Sequence, residues 1–280
     1  MPLWPRQKYL EEGLKKGIPQ AQLERWLDAA HRMQAKDLPA LLSLSHLAEE
    51  VGVPYRILRE ITSRTREHPY RIFHIAKRRG GWRTIAVPED YLRKTQRWIC
   101  RNVLSFLKDV HPASGAYLKG STIKSVALGH CESQWLIKID ITSFFESISE
   151  RQVFRVFRRA GYPPLVAFEL ARICTAIPKP TSARYNHRRW KNVSASTREG
   201  LLPYSHRLVG HLPQGAPTSP KLSNLVMLEI DRLLAKAAET AGCRYSRYAD
   251  DLIFSTKSKN FTRDAAVQLL RNCRAILTRF

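Results

Sequence analysis

The chain is 280 residues long and 44% hydrophobic, and 47 Lys and Arg against 24 Asp and Glu give a formal charge of +23. That length supports a sizeable core in one large or two modest domains. A positive excess spread along the chain points to a polyanion, nucleic acid first and an acidic membrane surface second. No apolar run approaches the roughly 20 residues of a spanning helix. The N-terminus has no signal-peptide core. Five scattered cysteines without CxxC spacing suggest neither zinc nor a disulfide framework, so a cytoplasmic protein without a membrane partner is expected.

Residues 6–36 have amphipathic helical periodicity broken at Gly17-Ile18-Pro19, and no chemistry is legible in them. Residues 43–62 read as two short helices joined at Gly52, a pattern shared by helix-turn-helix DNA binders and plain helical hairpins. From Tyr70 to Val87 the period becomes that of strands. Tyr70 to Ala76 and Trp82 to Val87 alternate on either side of Lys77-Arg78-Arg79-Gly80-Gly81, which predicts a β-hairpin with a cationic tip. Such a tip is either a solvated turn or a clamp on phosphates. A helix is predicted from Glu89 to Asp109, then a loop and a short helix ending near His130.

Residues 135–141, Trp-Leu-Ile-Lys-Ile-Asp-Ile, predict a buried central strand ending in Asp140. A carboxylate there is either compensated by a metal or caps the next helix. Helical sequence follows from about Glu150 to Ala176, and residues 178–211 form a basic insertion. Leu212-Pro213-Gln214-Gly215-Ala216-Pro217-Thr218-Ser219-Pro220 is a turn of prolines and small residues before a helix over about 221–241, and small residues let a planar ligand approach the backbone. Tyr248-Ala249-Asp250-Asp251 stands between two β-prone runs and reads as a tight hairpin with paired carboxylates at its tip. Adjacent carboxylates repel, and a hard divalent cation is their natural partner. A last amphipathic helix runs from Thr262 to Leu277.

The ordered set KRRGGWRTI, SGAYLKGSTIKSVALGH, IKIDITSFF, LPQGAPTSPKLSN and RYADDLIFS resembles the reverse transcriptases, and among them the bacterial retron-type enzymes, over about residues 45–280. The resemblance implies an α+β fold, a right-hand polymerase palm of antiparallel strands backed by helices, with fingers inserted. Residues 1–66 would be a helical N-terminal extension and 67–280 fingers and palm. It implies RNA-directed DNA synthesis with two Mg²⁺ ions, Mn²⁺ being the alternative. The metal ligands would be Asp140, the Ile141 carbonyl, Asp250 and Asp251. Arg83 with Lys77 or Arg78 would hold the triphosphate, and Phe145 would be the steric gate. Gln214 and Gly215 would lie near the nascent pair, and Tyr248 at the primer end. The implied partners are deoxynucleotides, a structured non-coding RNA serving as template and primer, the RNA–DNA hybrid, and a retron effector protein in phage defence. Only 29 residues follow Asp251 (280 − 251), so the family's lysine motif, primer-gripping hairpin and helical thumb are expected to be absent. A catalytically weak nucleic-acid-binding protein derived from a polymerase is the competing expectation.

Overall fold

A computed structural model describes residues 6–66, 69–76, 80–178, 190 and 208–278. Lys77 and Arg78 lie outside the described residues, as does most of the basic insertion. The first elements are helices α1 (Arg6–Lys15), α2 (Gln20–Gln34), α3 (Leu44–Val51) and α4 (Tyr55–Ser63). Strands β1 (Tyr70–Ala76) and β2 (Trp82–Pro88) follow, then α5 (Asp90–Ile99), continued by a π-helical turn, Cys100–Leu104. Next come α6 (Ile123–Leu128), β3 (Trp135–Asp140), α7 (Phe144–Ser147), α8 (Glu150–Ala160) and α9 (Pro164–Ile173). The last are α10 (Ser219–Thr240), β4 (Arg244–Tyr248), β5 (Asp251–Thr256) and α11 (Arg263–Thr278).

The fold is mixed α and β with two antiparallel sheets, one of two strands and one of three in the order β3-β5-β4. The chain divides into two compact units, residues 1–107 with 148–219, and residues 108–147 with 220–280.

In the first unit, α3 and α4 turn at Gly52, whose left-handed φ of 62° ends α3 and suits glycine. The second helix of this pair is not free. Leu58 and Ile61 are buried, and Arg64 at its C-cap donates to Glu150 Oε2 at 2.7 Å and to the Thr175 carbonyl at 2.7 Å. Arg172 approaches the other Glu150 oxygen at 3.3 Å and bonds the Thr62 carbonyl. Burial pushes the Glu150 carboxyl up, and the Arg64 and Arg172 guanidiniums with the Gly210 N–H reverse this to a net lowering. A buried carboxylate is tolerated only when so compensated, and this one ties α4 to α8, α9 and the chain at Gly210.

Gly215 has a plain structural reason. Its φ is +110°, and a Cβ there would stand 2.9 Å from Ile85 Cγ2 and 3.0 Å from the Ala86 carbonyl oxygen. The neighbouring Gln214 carbonyl accepts from the Ala86 N–H at 2.7 Å. The small residues of this turn therefore admit strand β2 against them.

In the second unit the sheet packs one face on α10 and α11 through Leu234, Ala238, Tyr245, Leu252, Phe254, Phe261, Leu269 and Cys273. The expectation of a buried central strand at 135–141 is corrected. β3 is an edge strand whose exposure alternates. Ile137 and Ile139 pack against the core, while Leu136, 62% exposed, and Lys138 point away from it. An alternation of period two is what a half-covered strand shows. The apolar run hid it because Leu136 is apolar without being buried.

Candidate active site

Two strands and one turn bring the predicted carboxylates together. In the β3–β5 register Asp140 stands directly opposite Asp251. Tyr248 faces Asp251 from β4, leaving Ala249 and Asp250 as a two-residue loop. The Ile141 N–H donates to the Asp250 carbonyl at 3.0 Å, fastening the end of β3 to the turn. Directly opposed residues in a ladder have Cβ atoms about 4.5–5.5 Å apart, so like charges at this pair need a cation between or beside them. Lys138 supplies one, with Nζ 2.9 Å from Asp251 Oδ2. Among the described residues no three His, Cys, Asp or Glu side chains converge as a ready metal cage. The donor set itself, three carboxylates without thiol or imidazole, is that of a hard divalent cation. Asp140 is exposed and Asp250 and Asp251 are half-buried, so a cation would have access to all three.

The turn is held from beneath by a residue the sequence did not single out. Arg247 is fully buried. Its Nε and Nη2 make a fork of 2.8 Å bonds to the Asp231 carboxylate of α10. Nη1 donates to the Ala249 carbonyl at 3.0 Å and Nη2 to Ser114 Oγ at 3.1 Å. Its guanidinium also lies 5.9 Å from the ring of Phe144, in α7. The Tyr245 hydroxyl donates to the same Asp231. Ala249 has φ +56°, which an L-residue adopts at a cost of about 1–2 kcal/mol. Arg247 binds the carbonyl of that strained residue. A signal for this brace was available: Asp231 continues the buried stripe of Met227, Leu234 and Ala238 on α10, where a lone carboxylate demands a partner.

Phe145 is half-buried, its ring centroid 5.5 Å from Phe144 and 6.2 Å from Tyr117. Arg83, in the first unit, is exposed on β2 opposite Ile75. Gln214 is half-buried beside the glycine that abuts β2.

The family profile described as "Reverse transcriptase (RNA-dependent DNA polymerase)" matches residues 75–279. The chain belongs to the reverse transcriptase family. Within it the chain is of the retron type. The retron Mx162 reverse transcriptase of Myxococcus xanthus is 33% identical over 235 residues, 81% of this chain and 45% of that protein. The retron Ec86 reverse transcriptase of Escherichia coli is 30% identical over 229 residues, 81% of this chain and 61% of that protein. The chain thus spans about half the length of the curated relatives it matches. Among solved structures, a telomerase from Candida albicans in complex with a fragment of telomeric RNA superposes with TM-score 0.42 at 14% identity, over 84% of this chain and 43% of that one. No helix of the described residues is long and apolar enough to cross a membrane.

Proposed function

We propose that this chain carries the catalytic centre of an RNA-directed DNA polymerase, which extends a primer with deoxynucleotides on a structured retron RNA. The observation that carries the reading is the register of Asp140 opposite Asp251, at the mouth of a turn that also holds Asp250. Asp140, Asp250, Asp251 and the Ile141 carbonyl would hold divalent cations, Mg²⁺ or Mn²⁺. Those cations would supply an acidified primer hydroxyl and neutralise charge on the departing pyrophosphate. The chain's own residues do the positioning. Arg83, with Lys77 or Arg78, binds triphosphate oxygens through charge-assisted bonds. Phe145 sets an aromatic wall against a ribose 2′-hydroxyl. Tyr248 contacts the primer end, and Gln214 and Gly215 border the nascent pair. The net charge of +23 suits an RNA–DNA hybrid held by its phosphates, with affinity that falls as salt rises. The similarity to retron enzymes supports a role in phage defence beside an effector protein, in the cytoplasm.

Primer extension by Asp250→Asn and Asp140→Asn, beside melting curves, tests this. Each should lose about a thousandfold in rate without losing thermal stability, since each removes a charge from a like-charged group. Extension unchanged in both overturns the metal-centred reading. Binding of primed RNA with no extension by the unmodified chain would instead support a nucleic-acid-binding role alone.

A further inference from the structure

The second unit holds a buried histidine that the catalytic reading does not use. His130 closes the short helix α6, and its ring is buried against the sheet. Nδ1 lies 2.6 Å from Ser255 Oγ on β5, and Nε2 lies 2.5 Å from Ser246 Oγ on β4. One imidazole therefore bridges the two strands that meet at the acidic turn. Ser246 precedes Asp250 by four residues and Ser255 follows Asp251 by four. Ser255, Ile253 and Asp251 share one face of β5, as period two requires, so the bridge sits on the face that carries Asp251. In the ladder Ser246 pairs with Ile253 and Arg244 with Ser255, which places the two serines diagonally across the pair.

The His130 backbone is itself fixed. The His130 N–H donates to the Ala127 carbonyl, and Ser133 Oγ donates to the His130 carbonyl at 2.8 Å. Gly129 lets the chain lie against Arg244, where a Cβ would stand 2.7 Å from the guanidinium. A Thr122–Ser125 capping box starts the helix. A neutral imidazole offers one donor and one acceptor, and two serine hydroxyls can satisfy both.

We propose that His130 is a positioning residue for nucleotidyl transfer: by joining Ser246 to Ser255 it fixes the stagger of β4 against β5 and so the place of Asp250, in the turn between them, beside Asp251 and Asp140. The proposal rests on the metal-binding role given to those carboxylates. A displacement of about 1 Å at a reacting centre costs on the order of a hundredfold in rate, so a brace four residues away has leverage on chemistry without touching substrate.

The test uses the whole chain and three readouts: Mn²⁺ affinity by electron paramagnetic resonance, kcat and KM for single-nucleotide addition, and Tm. His130→Phe keeps a ring and removes both bonds. Ser246→Ala with Ser255→Ala removes the partners instead, and covers the case in which the ring variant does not fold. Ser255→Thr retains the hydroxyl. Both disruptive variants should bind Mn²⁺ at least about fivefold more weakly and lose roughly tenfold or more in kcat, with KM for the nucleotide little changed. Ser255→Thr should restore both properties to near the unmodified values. A fall in Tm with Mn²⁺ affinity and kcat within twofold of the unmodified chain makes His130 a structural latch only and overturns the proposal. If the unmodified chain extends nothing, the polymerase reading fails, and the positioning role is still decided by Mn²⁺ affinity. If it binds Mn²⁺ no better than Asp140→Asn, both fail.

Discussion

The two β-hairpins answer opposite demands with the same backbone motif. β1–β2 presents exposed side chains along most of its length, Trp82 at 68% and Ile75 at 56% among them, and is anchored near its base by Tyr70, Ala86 and the Gln214 carbonyl. β4–β5 buries most of its residues and is gripped from both faces, by Arg247 with Asp231 on the core side and by His130 on the other. The difference follows from the charge each turn must hold. A hairpin proposed to meet phosphates with a cationic tip would gain little from rigidity. Asp140 and Asp251 face each other across the ladder with Asp250 in the adjoining turn, and such like charges repel unless surrounding structure holds them in place. Strand-prone runs around a turn specify a hairpin in both cases, and the brace decides which kind it is.

The largest effect should come from the brace. Arg247→Met leaves Asp231 buried without its cation, and breaking a buried pair costs about 3–5 kcal/mol. Chemical denaturation should show that loss, together with a fall in primer extension. Asp231→Leu combined with Arg247→Met should recover much of the stability, because no charge is then left unpaired. Activity should not recover with it, since the bond to the Ala249 carbonyl is still missing. Recovery of both would mean that the turn needs no brace.

An arginine on the other hairpin gives the contrast. Arg83 is exposed and has no ion-pair partner among the described residues. Arg83→Ala should leave Tm unchanged and raise the nucleotide KM about tenfold or more, the worth of a bond to a charged group. A drop in Tm without a change in KM would assign Arg83 to structure and erase the difference between the two hairpins.

Both hairpins were legible in the sequence, the first because period-two alternation flanked turn residues at 77–81 and the second because β-prone runs flanked the paired carboxylates. The helices were legible from their 3.6-residue periodicity, although the helix predicted over 89–109 ends at Leu104 and the stretch predicted over about 150–176 is two helices, Glu150–Ala160 and Pro164–Ile173. What could not be read depends on residues far apart in the chain. Arg247 meets Asp231 across 16 residues and Ser114 across 133. His130 meets Ser246 across 116. The π-helical turn at Cys100–Leu104 left no mark in a sequence that keeps its helical periodicity. Asp140 illustrates the limit at the centre of the site. The residue was identified, but its setting, an exposed edge opposite Asp251, depended on the strand that would pair with it.

Acid should distinguish the hairpins next. Burial and then the Arg244 guanidinium lower the His130 pKa below its ordinary value. The unfolded chain therefore takes up this proton first. The imidazole's contribution to stability is complete above about pH 6.5, the unfolded value, and is lost as pH falls through the lower folded value. Arg244 is the charged group facing the ring. Melting temperatures between about pH 7.5 and about pH 5, a range that brackets the ordinary histidine value, should fall more steeply for the unmodified chain than for His130→Phe. Equal slopes would remove His130 from the pH response.

The smallest effect concerns how each turn reaches a positive φ. β1–β2 uses Gly80 and Gly81, at φ 88° and 83°, with nothing within 4 Å of a Cβ at either. β4–β5 uses Ala249 at φ 56° and holds its carbonyl with Arg247. Gly80→Ala should therefore cost about 1–2 kcal/mol of local strain with no steric clash. The reverse change at the other turn should be nearly neutral. Ala249→Gly relieves about 1–2 kcal/mol of strain. Against that, it gives the unfolded chain about 0.4–1 kcal/mol of entropy and forfeits a buried methyl worth about 0.8 kcal/mol. The terms nearly cancel, so denaturation should place Ala249→Gly within about 1 kcal/mol of the unmodified chain. A gain of about 2 kcal/mol would require strain at the upper end of the range with almost none of it offset. The Arg247 bond would then be holding Ala249 in a conformation the turn otherwise resists, and the brace would be a source of tension where the present account makes it a support.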